Sequence, residues 1–167
     1  MIRLLGGVLT VLSGFLIGFL FGQKQKDTLA KQELLYAYLD CMCCELQYYA
    51  APLEQIVKKL VQRSAFESFE FAAVCAQVLK NRPFSEQFEA AAEQHKACFG
   101  NEICSDLKLL ASQLGSESLE AQLSALSVCK HSITQTVEQE RPRVMQNVKL
   151  MRSLGTFAGM AVLILFW

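Results

Sequence analysis

The chain has 167 residues, of which 52% are hydrophobic and 19% are charged, with 16 basic and 16 acidic side chains. This length is typical of one domain and excludes a large multidomain enzyme. Residues 24–152 carry 15 Lys and Arg against 16 Asp and Glu, so the chain lacks the concentrated positive charge that nucleic-acid phosphates require.

The first feature along the chain is a run of 20 residues without a charged side chain, from Leu4 to Gln23. As a helix it would be about 30 Å long, which is the thickness of a bilayer core. A second uncharged run, from Ser153 to Trp167, has 15 residues and would reach about 22 Å as a helix. We therefore predict a transmembrane helix at 1–23 and a C-terminal transmembrane or membrane-inserted helix at 153–167, flanking a central domain at 24–152.

The basic residues next to these runs lie mostly on the side of the central domain. They are Lys24, Lys26 and Lys31 after the first run, and Arg141, Arg143, Lys149 and Arg152 before the second. Only Arg3 and the amino terminus lie on the other side, so the positive-inside rule predicts a cytoplasmic central domain. A cleaved signal peptide and a secreted domain are the alternative, although no A-x-A cleavage site follows the first run.

Between the two runs, apolar residues recur every three or four positions and no β-alternation occurs, which predicts an all-α fold. We expect a compact bundle of about six helices. The predicted helices are a first with its apolar face at Leu35, Leu39, Met42, Leu46 and Tyr49; a second at 52–63; a third behind a Ser64/Glu67 capping box to about Lys80; a fourth from Phe84 to Gly100; a fifth from Ile103 to Leu114, capped by Gly115; and a sixth from Leu119. Pro52 suits the first turn of the second helix. Pro142 predicts a kink or a break in the last one.

Glycines recur at steps of four in both uncharged runs: Gly14, Gly18 and Gly22 in the first, and Gly155 and Gly159 in the second. Such stripes of small residues let another helix approach closely. They predict packing between the two spans of one chain or between protomers of a homo-oligomer. The alternative is that the spacing has no consequence.

Seven cysteines are many for this length: Cys41, Cys43, Cys44, Cys75, Cys98, Cys104 and Cys129. Their odd number and irregular spacing do not match a disulfide framework, and reduced thiols are typical of the cytosol. Cys41 and Cys44 form one C-x-x-C pair, which could be half of a metal site together with Cys75, His95, Cys98 or Cys104. We expect instead that the cysteines pack as small hydrophobes, that His95 is a packing histidine and that His131 is solvated, with no metal and no cofactor.

Catalytic motifs are missing from the sequence. It contains no G-x-x-x-x-G-K-[ST], no G-x-S-x-G and no H-E-x-x-H, which argues against nucleotide hydrolysis, serine hydrolase and metalloprotease chemistry. Glu86, Glu89 and Glu93 have the spacing of a helix surface. We interpret them as a solvated acidic face, with a docking surface for a basic partner as the alternative.

Several short stretches, taken in order, resemble the stage III sporulation protein AB family. They are Glu45-Leu46-Gln47-Tyr48 leading to Pro52-Leu53, then Leu114-Gly115 followed by Glu120 and Gln122, and finally Ser153-Leu154-Gly155 leading to Gly159 and Val162 to Leu165. The family is understood to be similar in fold to the cytoplasmic domains of inner-membrane platform proteins in type II secretion and type IV pilus machines.

The resemblance implies a non-enzymatic membrane scaffold in the channel apparatus between mother cell and forespore. Its partners would be a secretion-type ATPase, other channel components and membrane lipid, without nucleic acid. It implies a location in the mother-cell membrane facing the forespore. A thiol- or metal-dependent membrane-anchored enzyme or sensor that uses Cys41 to Cys44 is the alternative from another class, and a generic membrane-anchored adaptor is a third.

The best match to the family falls at one helix boundary, so we predict partner-binding residues there: Tyr48, Pro52, Glu54 and Gln55. A proline-fixed corner would present them rigidly to the ATPase. The competing interpretation is structural, with Tyr48 and Pro52 setting the corner while Tyr49 and Leu53 fill the core.

Overall fold

The computed structural model describes residues 2–49, 52–77, 83–114 and 118–165, and within α-helical parts it omits the side chains of 2–15, 17–18, 152, 154–156 and 158–165. Over the described ranges the protein is all-α, as predicted. The helices are α1 (Ile2–Tyr49), α2 (Leu53–Val61), α3 (Glu70–Ala76), α4 (Phe84–Gln94), α5 (Lys96–Phe99), α6 (Asn101–Gln113) and α7 (Leu119–Leu165).

The chain divides into two compact units, and α1 and α7 contribute to both. The bundle unit is Lys31–Val137, and the terminal unit is Met1–Ala30 with Glu138–Trp167. Helices α2 to α6 all belong to the bundle unit.

The core of the bundle unit is built around an aromatic cluster. Tyr38 of α1 is fully buried and meets Phe66, Phe69 and Phe71 edge-on, with ring centroids 5.5 to 6.1 Å apart. Phe71 continues the cluster to Phe88 at 5.4 Å. Edge-to-face pairs of this kind add about 0.5–1.5 kcal/mol each beyond the burial of their area. Contacts between aromatic rings therefore stabilise the packing of the short helices in the bundle unit.

The predicted apolar face of the first helix is confirmed at four of its five positions. Leu35, Leu39, Met42 and Leu46 are buried, because steps of three and four residues return to the same side of a helix. The prediction is wrong for Tyr49, which is 68% exposed at the last residue of α1.

The predicted capping box is also wrong. Residues 64–68 form turns, and α3 begins only at Glu70, with Phe69 as its N-cap and no side-chain capping bond. Phe66 and Phe69 are nevertheless buried, and their backbone N–H groups donate to the carbonyls three residues earlier, at Arg63 and Phe66.

The predicted fourth helix is divided in two. At His95 the backbone turns to φ −97° and ψ 11°, which ends α4, and α5 follows for one turn to Phe99. Gly100 then has φ +89°, a conformation that costs side-chain-bearing residues roughly 1 kcal/mol or more. The glycine therefore fixes the turn from α5 into α6. Gly115 and Lys80, predicted as helix ends, lie outside the described residues.

Pro142 does not break the last helix, contrary to one of the two expectations. Helix α7 is continuous from Leu119 to Leu165 with Pro142 inside it. A proline inside a helix costs about 3 kcal/mol through the lost hydrogen bond and the clash of its ring with the preceding turn. Val137 and Val148, on either side of the proline, are buried, so the helix is packed both before and after it.

The two predicted membrane spans fall on the outer parts of α1 and α7. Over the residues that the structure describes, no helix combines the length and apolar character needed to cross a membrane. Most side chains of 1–23 and 153–167 are outside that description.

Candidate functional site

The predicted partner-binding residues lie at the corner between α1 and α2, which we call the corner: Tyr48, Pro52, Glu54 and Gln55. Pro52 precedes α2 with φ −55° and ψ 137°. Its carbonyl accepts the backbone N–H groups of Gln55 at 2.9 Å and Ile56 at 3.2 Å. The ring of Pro52 holds φ near its observed value, so the start of α2 is set before any partner binds.

All four predicted corner residues are exposed to solvent. Tyr48 is 77% exposed, and Pro52, Glu54 and Gln55 are also exposed, whereas Leu53 between them is buried. The structural interpretation therefore holds for Leu53 and fails for Tyr49. The structure brings Tyr48 to the end of α1 and the other three to the start of α2, with 50–51 outside the described residues.

A buried carboxylate next to the corner joins α1 to α2. The side chain of Glu45 is 8% exposed, and its Oε2 lies 2.7 Å from Lys59 Nζ while its Oε1 lies 2.5 Å from Arg63 Nη2. Arg63 also donates from Nη1 to Cys41 Sγ at 3.7 Å. A buried acid with two charge-assisted partners keeps the helices in one register, because losing the partners would leave an uncompensated charge.

Tyr49, which is also exposed, contacts the same Lys59. Lys59 Nζ lies 4.7 Å from the centre of the Tyr49 ring, within the range of a cation–π contact. The ring is thereby fixed beside the Glu45 ion pairs. This network was not predicted, and its one signal in the sequence is the i, i+4 spacing of Lys59 on α2 and Arg63 just past the end of α2.

The seven cysteines are free, but their environments differ. Cys75, Cys104 and Cys129 are buried, Cys41, Cys43 and Cys98 are half-buried, and Cys44 is exposed. Burial raises the pKa of Cys129 to about 12 and raises the pKa of Cys75 further. These two are neutral thiols at physiological pH and pack as small hydrophobes, as predicted. The prediction is wrong for Cys44, which is exposed.

The residues suggested as metal ligands are not brought together as a metal site. Among the described residues, no three His, Cys, Asp or Glu side chains are grouped so that they could hold a metal ion. Cys104 Sγ donates to the carbonyl of Ala92 at 3.4 Å, and burial, followed by the charge of Glu93, raises its pKa.

The histidine predictions are confirmed. His95 is buried, stacks on Phe99 at 5.9 Å, and has Nδ1 2.9 Å from the carbonyl oxygen of Ala91. Because that carbonyl only accepts, Nδ1 carries the proton. His131 is exposed and contacts Gln135.

The acidic residues of α4 are exposed, as predicted. Glu86, Glu89 and Glu93 face solvent, and Glu93 pairs with Lys108 at 2.6 Å and Lys96 at 3.6 Å. The hydrogen bond from Lys108, with the charges of both lysines, lowers the pKa of Glu93.

A groove between α6 and α7 was not predicted from the sequence. Its volume is about 380 Å³. Leu109 and Val128, each 63% exposed, line it, and at one end the hydroxyl of Ser132 donates to the carboxylate of Asp106.

Of the five glycines predicted to pack helices, the structure describes the surroundings of one. Gly22 is buried, and a Cβ built on it would lie 3.4 Å from both γ-methyl groups of Val148. Gly22 therefore packs α1 against α7 inside the terminal unit. Gly14, Gly18, Gly155 and Gly159 lie outside the part of the chain whose packing is described.

No curated protein and no solved structure matches the chain. The family model for stage III sporulation protein AB matches residues 3–167. Since the match covers nearly the whole sequence, the chain belongs to the stage III sporulation protein AB family.

Proposed function

We propose that the chain is a non-enzymatic, membrane-anchored scaffold of the channel apparatus between mother cell and forespore, and that it docks a secretion-type ATPase at the corner. Family membership supports a role in sporulation. The sequence contains no nucleotide-binding loop, so energy from ATP would come from a partner.

The exposure of Tyr48 is the observation that carries the docking proposal. Large aromatic side chains are enriched at protein interfaces, and tyrosine loses little conformational entropy when it is covered. Tyr48 is 77% exposed near the end of α1, and the Glu45 ion pairs connect α1 to Lys59 of α2 and to Arg63. Side chains presented by paired helices bind at a smaller entropic cost than those on a mobile loop.

The proposed location is the mother-cell membrane facing the forespore, with the central domain in the cytoplasm. The uncharged run from Leu4 to Gln23 and the basic residues that follow it support this placement. Cys44, which is exposed, offers a test in sealed membrane vesicles prepared with the cytoplasmic face inside. A membrane-impermeant thiol reagent should leave Cys44 unlabelled until the vesicles are opened, and strong labelling of sealed vesicles would contradict the topology.

The docking site can be tested by introducing positive charge at exposed positions. Glu54→Lys/Gln55→Lys alters the corner, and Glu86→Lys/Gln94→Lys makes the matched change on α4, where both residues are also exposed. Each pair should change the free energy of unfolding by no more than about 0.5 kcal/mol per substitution. Binding of the ATPase to the full-length protein in detergent would then be measured.

We expect the corner variant to lose at least about tenfold in affinity, which corresponds to about 1.4 kcal/mol, while the α4 variant keeps the affinity of the wild type. Loss confined to the α4 variant would instead place docking on the acidic face. Unchanged binding by the folded corner variant would contradict the proposal for the corner.

A further inference from the structure

The described part of the terminal unit exposes large apolar side chains on both of its helices. On α1 they are Leu16, Phe19, Leu20 and Phe21, and on α7 they are Met145, Leu150, Met151 and Phe157, each between 38% and 65% exposed. Single exposed hydrophobic residues are normal on protein surfaces, but concentrated ones indicate an interaction with another protein or with a membrane.

Exposed lysines lie beside the apolar side chains on both helices. Lys24 and Lys26 follow Phe21 on α1, and Lys149 lies between Met145 and Leu150 on α7; all three are exposed. The acidic residues of the terminal unit, Asp27, Glu138 and Glu140, are farther from the apolar side chains along each helix than the nearest lysine. Basic charge is therefore adjacent to the exposed apolar side chains.

The packing of Gly22 on Val148 brings lysines of the two helices near each other. Because α1 leads from the terminal unit into the bundle unit and α7 leads back, the two helices run antiparallel. Lys24, two residues after Gly22, and Lys149, one residue after Val148, therefore lie about 3 Å and 1.5 Å from this contact in opposite directions. Their backbone positions are about 4.5 Å apart along the helix axes, a distance that long lysine side chains can span. Among the described residues, no carboxylate forms an ion pair with either lysine.

We propose that Lys24, Lys26 and Lys149 form a site for the headgroups of anionic phospholipids at the membrane surface. This inference rests on the proposed membrane anchoring and adds a lipid class to it. Ammonium groups complement the phosphates of an anionic bilayer, and long lysine side chains reach the headgroups while their methylene groups cover apolar surface. Each basic residue near such a surface changes lipid affinity by roughly fivefold.

The test uses the full-length protein reconstituted in vesicles of phosphatidylcholine that contain trace spin-labelled lipid. Electron paramagnetic resonance reports the association of labelled phosphatidylglycerol relative to labelled phosphatidylcholine. The variant Lys24→Gln/Lys149→Gln removes charge from the proposed site. Lys58→Gln/Lys96→Gln is the matched control, since both of its lysines are exposed in the bundle unit.

We expect the wild type and the control to prefer phosphatidylglycerol by roughly fivefold or more. The preference should fall toward equality in Lys24→Gln/Lys149→Gln, and also in the wild type at about 0.5 M NaCl, where screening is strong. Equal association of the two lipids with an inserted wild-type protein would overturn this inference and leave the anchoring intact. Failure to insert into vesicles of either lipid would contradict the proposed membrane anchoring itself.

Discussion

The carboxylate of Glu45 on α1 lies 2.5 Å from the guanidinium of Arg63, just past the end of α2, and its other oxygen bonds Lys59 at 2.7 Å. The acid is buried while its two basic partners remain about half exposed. This asymmetry determines which substitution is costly, because a cation that loses its partner can be hydrated and the buried carboxylate cannot.

The first prediction concerns non-additivity around Glu45. Lys59→Ala or Arg63→Ala alone should destabilise the protein by about 0.5–1.5 kcal/mol, since one partner remains. Lys59→Ala/Arg63→Ala should cost about 1 kcal/mol more than the two single costs together, because the carboxylate is then buried without a cation. Urea unfolding of the full-length protein in detergent, followed by circular dichroism, measures the coupling. Strict additivity would mean that Glu45 is hydrated in the folded state.

The second prediction concerns the contact between Gly22 and Val148. Gly22→Ala should be tolerated, because its Cβ would lie at 3.4 Å from the valine methyl groups, whereas Gly22→Leu should separate α1 from α7 in the terminal unit. Leu20→Ile, at a position 62% exposed, is the neutral control. Disulfide crosslinking between cysteines introduced at Gln23 and Lys149 would report the separation. If Val148→Ala restores crosslinking in the Gly22→Leu background, the clash is confirmed as the cause.

The third prediction concerns the hydroxyl of Tyr38. This oxygen is buried without a hydrogen-bond partner among the described residues, and burial is the main reason that the pKa of Tyr38 is raised. Tyr38→Phe keeps the ring contacts and removes the unpaired group, so it should be neutral or stabilise the protein by up to about 1 kcal/mol. Tyr38→Ala should destabilise it by about 3–5 kcal/mol. A marked loss of stability in Tyr38→Phe would reveal a bonded hydroxyl.

The fourth prediction concerns alkaline pH. The pKa of Cys129 is raised from 9.0 to about 12 by burial and then by Asp106, and burial also raises that of Cys75. Above pH 9 these thiols ionise in the unfolded chain and stay neutral in the folded one. The unfolded state then binds fewer protons, so stability falls as the pH rises from 9 toward 12.

Cys75→Ala/Cys129→Ala should therefore show a flatter dependence of unfolding free energy on pH between 9 and 11 than the wild type. The matched control is Cys44→Ala, since Cys44 is exposed. Equal slopes in all three proteins would show that other groups determine the alkaline loss of stability.

The fold class and much of the core could be predicted from the sequence because helical periodicity is a local signal. Leu35, Leu39 and Met42 share one face wherever the helix packs, and they are buried. Phe66 lies in the turns before α3, and Phe69 is the N-cap of α3. Their backbone N–H groups bond to carbonyls three residues earlier. Because the two rings are also three residues apart, periodicity predicted a helix there.

The candidate site could be predicted only in part. Pro52 favours a helix start because its ring restricts φ. Glu54 and Gln55 are exposed because they lie on a different face of α2 from the buried Leu53. The pairing of Glu45 with Lys59 and Arg63 depends on the register between two helices. That register is fixed by burial across the whole bundle, so no local pattern revealed it.

The burial of Tyr38 also determines how the bundle unit can be observed by spectroscopy. The chain has one tryptophan, at its last position, and four tyrosines. Tyr36, Tyr48 and Tyr49 are exposed to solvent and Tyr38 is the one that is fully buried. Opening of the bundle would transfer a single phenol ring from an apolar to an aqueous environment. Tyr38 should therefore contribute the largest part of the change in near-ultraviolet tyrosine absorption on unfolding, and Tyr38→Phe should reduce that change markedly.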